Sequence, residues 1–280
     1  MLKVILTRLR QGYRTIKFPA APPPPLPDRF RGRPELAPNS SGADWAAAEA
    51  SCPTGAFSAA GASVGPARAA APAAPTRESP HQAGPSLDLG RCIFCGACER
   101  ASGGRAVTFS RDYRLATRRR EALLLAPGGR ELELAEALGA RLRRLFGRSF
   151  KLRQVSAGGC NACEADLNVL TTVGWDIGRF GIQFVASPRH ADGLVVTGPV
   201  TKNMALALRK TYDAMPEPRI VIASGACAIA GGPYRGSPEV SDGVAGILPV
   251  DLFIPGCPPH PLTVLDALLR LVGRRKEKQS

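Results

Sequence analysis

The amino-acid sequence predicts an α/β protein whose C-terminal part, residues 151–273, is a small doubly wound parallel sheet. In that part, short apolar runs alternate with segments of helical periodicity. The apolar residues of each run are consecutive, which is typical of strands covered by helices on both faces. The predicted strands are Lys151–Val155, Gly181–Ala186, Gly193–Val196, Arg219–Ala223 and Leu252–Ile254. The predicted helices are Glu164–Val173, Thr201–Tyr212 and Leu262–Val272.

The N-terminal half has a different composition, because 14 of the 26 prolines lie between residues 18 and 90. Residues 1–40 are predicted to form a short basic amphipathic helix followed by an extended proline-rich arm. Residues 41–112 contain one set of cysteines. Within them, the Ala/Pro/Gly/Ser tract 57–86 lacks the apolar residues that ordering requires, so we expect a flexible insertion.

A linker over residues 113–150 joins the two halves and contains a predicted helix at roughly 130–147. Its leucines lie close to a spacing of three or four residues, with arginines between them, so this helix is amphipathic. The leucines are Leu132, Leu134, Leu138, Leu142 and Leu145. Residues 274–280 form a basic tail.

The net charge of +14 would suit a nucleic-acid partner. The arginines, however, are scattered in small clusters without interleaved aromatic residues, and the sequence has no helix-turn-helix or RNA-binding signature. We therefore predict no nucleic-acid partner and expect part of the positive charge to face acidic partner subunits.

The sequence predicts no transmembrane helix, because it has no run of about 18 or more apolar residues. The first residues show no small-residue cleavage site and no twin-arginine pair. We therefore expect a cytoplasmic protein, in which reduced thiols are available as metal ligands. The N-terminal helix is suited either to a membrane interface or to a partner protein. Its apolar side consists of Leu2, Ile5, Leu6 and Leu9.

The eight cysteines divide into two sets of four. The C-terminal set consists of Cys160, Cys163, Cys227 and Cys257. In the predicted sheet these residues follow the first, fourth and last strands, so three loops meet at the carboxyl edge, where flavodoxin-like and other doubly wound sheets bind ligands. Glycines beside each thiol let the backbone approach a bulky cluster and direct N–H groups at its sulfides. The C-terminal set therefore predicts a 4Fe-4S site.

A zinc site, a redox pair and free structural thiols remain open as alternatives for the C-terminal set. A C-x-x-C pair such as Cys160 and Cys163 also occurs in thioredoxin-type redox sites and as half of a zinc site. Zinc sites usually contain two tight pairs, whereas Cys227 and Cys257 stand singly on separate loops. The spacing thus favours a cluster over zinc or free structural thiols.

Four segments of the C-terminal part carry a family resemblance. They are S-A-G-G-C-N-A-C-E, F-G-I-Q-F-V-A-S-P-R-H-A-D-G-L-V-V-T-G-P-V-T, A-L-R-K-T-Y-D-A-M-P-E-P-R-I-V-I-A-S-G-A-C and V-D-L-F-I-P-G-C-P-P. They resemble the small electron-transfer subunit shared by membrane-bound nickel-iron hydrogenases and respiratory complex I, over nearly all of residues 151–273. The resemblance implies that the C-terminal cysteines bind the 4Fe-4S cluster nearest to the active site of a large partner subunit.

Details within the family favour the hydrogenase branch. Complex I subunits have two adjacent cysteines where this sequence has C-x-x-C. Subunits of the formate hydrogenlyase kind have C-x-x-C and also S-P-R-H-A-D, matched here by Ser187 to Asp192. The complex I-like alternative remains open. In it, Arg189, Tyr234 and the Gly231–Gly232 loop would border a quinone cavity shared with the partner.

The N-terminal set consists of Cys52, Cys92, Cys95 and Cys98. Bacterial ferredoxins repeat C-x2-C-x2-C-x3-C-P twice, and the fourth cysteine of each run ligates the other cluster. The positions at which this pattern lacks a cysteine hold Gly42, Trp45, Ala48 and Ser102. The four cysteines that remain are a complete set for one cluster, and the four that are missing are the complete set for the other. This pattern predicts a degenerate ferredoxin-like domain with a second 4Fe-4S cluster. A degenerate docking module without metal remains open as the alternative for this half.

The segments D-R-F-R-G-R-P-E-L-A-P and L-D-L-G-R-C-I-F-C-G-A-C-E resemble the ferredoxin-like subunit of formate hydrogenlyase and its complex I counterpart, over roughly residues 1–120. The chain thus resembles a fusion of two neighbouring subunits. The resemblance implies an electron-transfer subunit of an oxidoreductase complex without catalytic residues of its own. Its implied partners are a large catalytic subunit, other redox subunits and membrane subunits that hold it at the inner face of the cytoplasmic membrane. The alternative of another class is a metal-free assembly or scaffold protein.

Three polar residues near the C-terminal set are predicted to be structural. A loop histidine such as His190 is usually solvated or hydrogen-bonded. Acidic residues in a first helical turn, such as Glu164 and Asp166, are expected from the helix dipole alone.

Overall fold

The computed structural model describes residues 2–60, 84–128 and 132–275. The N-terminal half contains short helices and strands. The helices are α1 (Leu2–Gln11), α2 (Gly42–Ala50) and α3 (Ala97–Ala101), and the strands are β1 (Pro34–Leu36), β2 (Phe57–Ser58), β3 (Ser86–Asp88), β4 (Val107–Phe109) and β5 (Leu124–Leu125). β1 pairs with β4, and β3 pairs with β2 and β5, all antiparallel. The chain thus runs β1-α2-β2 and then β3-α3-β4. The first and last of these strands, β1 and β4, pair with each other, and the two middle strands, β2 and β3, also pair with each other.

The prediction of a flexible insertion over residues 57–86 was wrong for both of its ends, which form paired strands. Phe57 pairs with Leu87 and Ser58 pairs with Ser86. Phe57 and Leu87 are both buried, so burial of these two apolar side chains fixes strands where composition indicated none. Residues 61–83 of the predicted insertion lie outside the described residues.

The helix predicted at roughly 130–147 is confined to α4 (Ala140–Phe146). Residues 130 and 131 of the prediction lie outside the described part of the chain. Gly139, directly before α4, has an extended conformation. Leu138 is nevertheless buried. The segment before α4 has no regular secondary structure, and the Leu138 N–H donates to the Leu271 carbonyl of the last helix. The leucines have helical spacing, but a tertiary hydrogen bond and Gly139 keep the segment before α4 from forming a helix.

The C-terminal half contains a five-stranded parallel sheet. Its strands are β6 (Phe150–Ser156), β7 (Ile182–Phe184), β8 (Gly193–Thr197), β9 (Ile220–Ser224) and β10 (Leu252–Ile254). Their order is β7-β6-β8-β9-β10, which is the 2-1-3-4-5 order of flavodoxin-like folds. The predicted fold class of this half is confirmed.

Helices cover both faces of this sheet, as the consecutive apolar residues of its strands require. They are α5 (Ala162–Val169), α6 (Lys202–Asp213), α7 (Ala226–Ala230) and α8 (Pro261–Leu271). β8, β9 and β10 are buried throughout, and every residue of α8 is buried as well. Three of these helices follow the prediction, and α7 was not predicted.

The proline-rich arm lies against the C-terminal half. The Ile16 N–H donates to the Gly174 carbonyl at 2.9 Å. The Arg179 guanidinium donates to the carbonyls of Ile16 and Phe18 at 2.6 Å each. Phe18 is buried and contacts the Tyr113 ring edge-on. These contacts hold the arm in place although it has no regular secondary structure there.

One of two hydrophobic clusters among the described residues extends through both halves. Trp45 and Leu123 of the N-terminal half belong to the same cluster of buried side chains as Val196 of β8 and Ala223 of β9. The linker also pairs with the edge of the sheet through a bridge between Thr117 and Phe253. The two cysteine-containing halves are therefore packed directly against each other.

α1 differs from the other helices because none of its residues is buried. Its apolar side chains are exposed, with Leu2 and Leu9 at 72% and 74%. No helix among the described residues has the length and apolarity needed to cross a bilayer.

Candidate metal centres

The structure brings the C-terminal cysteines to the carboxyl edge of the parallel sheet. Cys160 and Cys163 follow β6 at the start of α5, Cys227 lies in α7 directly after β9, and Cys257 follows β10. Cys163 and Cys227 are half-buried, whereas Cys160 and Cys257 are exposed. The group of thiols is therefore enclosed on the protein side and open on the other.

The four thiols are close enough to influence one another electrostatically. Burial raises the pKa of Cys163, and the negative charges of Glu164, Cys227, Cys257 and Cys160 raise it further. Burial, followed by Cys257 and Cys160, raises the pKa of Cys227 to about 11. Four thiolates at this spacing repel one another, so a positively charged centre between them is required to hold them all deprotonated.

Two glycines make room for sulfur atoms of this group. A β-carbon at Gly225 would lie 2.7 Å from the Sγ atom of Cys163. A β-carbon at Gly232, whose φ is +55°, would lie 2.7 Å from the Sγ atom of Cys227. Any other residue at these positions would displace a thiol. The backbone is thus shaped to leave space around both sulfur atoms, as a bulky cluster requires.

Glu164 lies beside the cysteine pair as a fixed carboxylate. It is buried, and the Thr197 hydroxyl at the end of β8 donates to its Oε1 atom at 2.5 Å. Burial raises the pKa of Glu164, but hydrogen bonds from Thr197 and Ser156 outweigh it and hold the pKa below its usual value. Glu164 therefore attaches the start of α5 to the sheet.

The N-terminal cysteines also come together. Cys52 follows α2, Cys92 and Cys95 lie in the loop before α3, and Cys98 lies in α3. All four line one enclosed cavity, together with side chains that include Phe57. Burial, followed by the charges of Cys52 and Cys95, raises the pKa of Cys98 to about 11. The structure thus groups the eight cysteines into the same two sets that the sequence spacing defines.

Backbone groups point at the sulfur atoms of the N-terminal set. The Ala56 N–H donates to Cys52 Sγ at 3.2 Å, and the Phe94 N–H donates to Cys92 Sγ at 3.4 Å. Phe94 has a φ of +55°, an uncommon conformation for a non-glycine residue. The loop is therefore folded around its thiols, and the N–H donors would stabilise them as thiolates.

Side chains fill the region where the ferredoxin pattern lacks four cysteines. Trp45 and Ala48 are buried in α2, and the Trp45 ring stacks on Phe57 with centroids 5.6 Å apart. Ser102 is fully buried, and its hydroxyl donates to the Cys98 carbonyl at 2.9 Å. These residues form core in place of a second ligand set.

A buried ion pair supports the N-terminal cysteine loop, and sequence reasoning missed it. Arg120 donates to both oxygens of Asp88 at 2.8 and 2.6 Å, and the Gly90 N–H donates to Asp88 Oδ1 at 2.8 Å. The Asp88 carbonyl accepts a hydrogen bond from the N–H of Cys92. Asp88 precedes the cysteines in L-D-L-G-R-C and also pairs with Arg91 at 3.2 Å. Arg120, however, lies 32 residues away, so no local pattern could pair it with Asp88.

Replacing Asp88 with alanine is expected to lower the free energy of unfolding by about 3 to 5 kcal/mol, because the buried Arg120 guanidinium loses its counter-charge. The side chains of this pair are only 2% and 9% exposed. Denaturant unfolding of the purified protein measures the loss. Glu133→Ala is the matched control, since its ion pair with Arg119 is exposed and is worth at most about 1 kcal/mol. Equal effects of the two substitutions would contradict this role of Asp88.

A groove separates the two cysteine sets. It is lined by Ile93 and Phe94 of the N-terminal loop on one side and by Cys257 and Pro258 on the other. His260 lies on the same wall, where its Nδ1 atom accepts a hydrogen bond from the Leu262 N–H and begins α8. The two sets are thus neighbours within one chain.

The residues named for a quinone cavity belong to two separate loops of the C-terminal half. Tyr234 is 48% exposed and lies in a short 3₁₀ helix after α7, on the side of the cysteines. Arg189 and His190 are exposed in a 3₁₀ helix before β8. Asp192, which follows, hydrogen-bonds Lys151 at the amino end of β6. This contact attaches the end of the loop that carries Arg189 and His190 to the amino end of β6.

A flavodoxin-like domain with four thiols at the carboxyl edge of its sheet is the class of protein that the fold and the site define. A family model described as the 20 Kd subunit of NADH ubiquinone oxidoreductase matches residues 160–271. A probable membrane-bound hydrogenase subunit, mbhJ, of Pyrococcus furiosus is 42% identical over 130 residues, which are 46% of this chain and 78% of the relative. This chain belongs to the NADH ubiquinone oxidoreductase 20 Kd subunit family, as the resemblance in the C-terminal half predicted.

Two further proteins are similar to this chain. An uncharacterized protein of Methanocaldococcus jannaschii is 42% identical over 127 residues, covering 45% of this chain and 85% of the relative. A chain from the structure of the membrane-bound sulfane sulfur reductase, an archaeal respiratory membrane complex, is 31% identical with a TM-score of 0.42, over 47% of this chain and 73% of that chain. The family model begins at Cys160, so the N-terminal cysteines lie outside the matched segment.

Proposed function

We propose that this chain is the electron-transfer subunit of a membrane-associated hydrogenase or formate hydrogenlyase-like complex. Cys160, Cys163, Cys227 and Cys257 would hold a 4Fe-4S cluster next to the active site of a large partner subunit. Cys52, Cys92, Cys95 and Cys98 would hold a second cluster. The observation that carries the proposal is the grouping of all eight thiols into two sites, each with backbone that leaves space for its sulfur atoms or donates to them.

The arrangement of the thiols suits clusters better than single ions. No three His, Cys, Asp or Glu side chains in residues 2–60, 84–128 and 132–275 lie close enough to share one metal ion. A structural zinc site needs four ligands on one atom. The four ligands of a 4Fe-4S cluster are distributed over its irons, so they need not converge on one point.

A 4Fe-4S cluster gains and loses single electrons. The residues of this chain would supply the ligands, the hydrogen-bond donors and the apolar surroundings of the clusters. The cysteines provide the thiolates, the N–H groups of Ala56 and Phe94 donate to sulfur, and the apolar lining excludes water. No residue needs to act as a nucleophile or a general base.

The open side of the C-terminal site would face the large catalytic subunit. Cys160 and Cys257 are exposed on this side, and a partner that covered them would bring its active site close to the cluster. The similarity to a protein named a probable membrane-bound hydrogenase subunit supports a hydrogenase partner and association with a membrane complex. In this proposal the chain lies peripherally at the inner face of the cytoplasmic membrane. Other redox subunits and membrane subunits of the complex would complete the assembly.

The N-terminal half would be a ferredoxin-like module fused to the family domain. Its element order, β1-α2-β2 followed by β3-α3-β4 with outer and inner strands paired, has the internal repeat expected of such a module. Trp45 and Ser102 occupy the positions of missing ligands, which supports a single cluster in this half.

Anaerobic purification of the whole complex tests the proposal. We expect hydrogen evolution from a low-potential electron donor. Quinone reduction without hydrogen evolution would instead support the complex I-like alternative, which the name of the matching family favours. A complex that lacks both iron and these activities would support a metal-free assembly protein.

A further inference from the structure

Arg31 of the proline-rich arm lies against the N-terminal cysteine loop. A β-carbon at Gly96, between Cys95 and Cys98, would lie 2.5 Å from the Nε atom of Arg31. Arg31 also lines the groove that Phe94 and Cys257 share. Its guanidinium therefore stands where the two cysteine sets approach each other.

Arg31 has no counter-charge there. It is half-buried and makes no hydrogen bond or ion pair with any residue that the structure describes. The next arginine of the arm, Arg33, pairs with Asp112. The other ionisable side chains on the groove are the exposed Arg29 and Cys257, together with Asp166 and His260. None of these residues is paired with Arg31. Arg31 therefore places in the groove a positive charge that no carboxylate among the described residues pairs with.

We infer that Arg31 tunes the reduction potential of the N-terminal cluster by holding a fixed positive charge beside its ligand loop. This inference rests on the proposed function, because it requires that the cluster is present. Reduction adds a negative charge to a cluster whose thiolates are already anionic. A cation in a partly buried groove stabilises that added charge more than water would. Arg31 therefore makes the cluster easier to reduce.

The position of Arg31 predicts that it affects the reduction potentials of the two clusters to different extents. Arg31 touches Gly96 in the loop of the N-terminal set, whereas it shares only the groove with Cys257 of the other set. Coulomb energy falls with distance, so removal of the charge should shift the potential of the N-terminal cluster more than that of the C-terminal cluster.

An EPR-monitored redox titration of the anaerobically purified complex tests this role. Arg31→Gln should retain the iron and sulfide of the unsubstituted protein and shift the midpoint potential of the N-terminal cluster to a more negative value. Arg31→Lys should keep the potential near its original value because it keeps the charge. Arg144→Gln is the matched control, since it removes one positive charge from an exposed position on α4, and it should leave both potentials unchanged.

An iron-loaded Arg31→Gln protein with an unchanged potential would overturn the inference and leave the proposed function intact. If Arg31→Gln lost its iron, Arg31→Lys would decide, because a lowered potential in that variant would overturn the role of the charge. An unsubstituted complex without an N-terminal cluster would contradict the proposed function itself.

Discussion

Replacing Cys52 with serine is expected to remove the N-terminal cluster and to leave the C-terminal cluster in place. Cys52 comes from the first half of the ferredoxin pattern, and its three partners come from the second half. All four nevertheless line one cavity, so loss of this thiolate leaves one iron without its protein ligand. Iron should fall from about eight to about four per chain, a count that follows from two four-iron clusters.

Cys163→Ser is the reciprocal control. It should remove the C-terminal signal and spare the N-terminal one, because Cys163 interacts with Cys160, Cys227 and Cys257. EPR spectra of the two variants, recorded with their iron contents, distinguish the sites. If Cys52→Ser abolished both signals to the same extent, the assignment of the eight cysteines to two sites would be wrong.

Replacing Gly232 with alanine is expected to abolish the C-terminal cluster, although none of its four cysteines is substituted. The new methyl group would lie 2.7 Å from Cys227 Sγ and 3.1 Å from the Cys227 backbone nitrogen, so the thiol would have to move. The positive φ of this residue, +55°, adds about 1 to 2 kcal/mol of strain for a residue with a β-carbon. Iron should again fall to about four per chain, with loss of the C-terminal EPR signal.

The Gly236→Ala variant separates the effect of contact with the Cys227 thiol from the effect of backbone strain. Gly236 also has a positive φ, +79°, but a β-carbon there would meet no atom within 4 Å. This control should therefore carry the backbone strain and retain both clusters. Loss of the C-terminal cluster in both variants would show that strain in this loop, rather than contact with the thiol, is responsible.

The C-terminal half could be predicted well because its determinants are local in sequence. The apolar runs of β8, β9 and β10 indicate buried strands, and a parallel sheet brings the residues that follow its strands to one edge. This is why the positions of Cys160, Cys227 and Cys257 followed from the strand order. α7 was missed because its five residues are too short for a helical period to be visible.

The remaining features depend on contacts between distant segments. Leu138 has the spacing of a helix, but it is buried in a segment without regular secondary structure that hydrogen-bonds to the last helix. Asp88 and Arg120 meet across 32 residues, and Arg31 reaches Gly96 only because the arm folds back on the cysteine loop. Charge and spacing do not encode such pairings, so structure was needed to find them.

Iron and acid-labile sulfide analysis of the anaerobically purified protein tests the central claim most directly. Two complete thiolate sets predict about eight irons and about eight sulfides per chain. About four of each would contradict the second cluster, and the Cys52→Ser and Cys163→Ser variants would identify the set that is loaded. Protein that contains neither iron nor sulfide would contradict the electron-transfer role altogether.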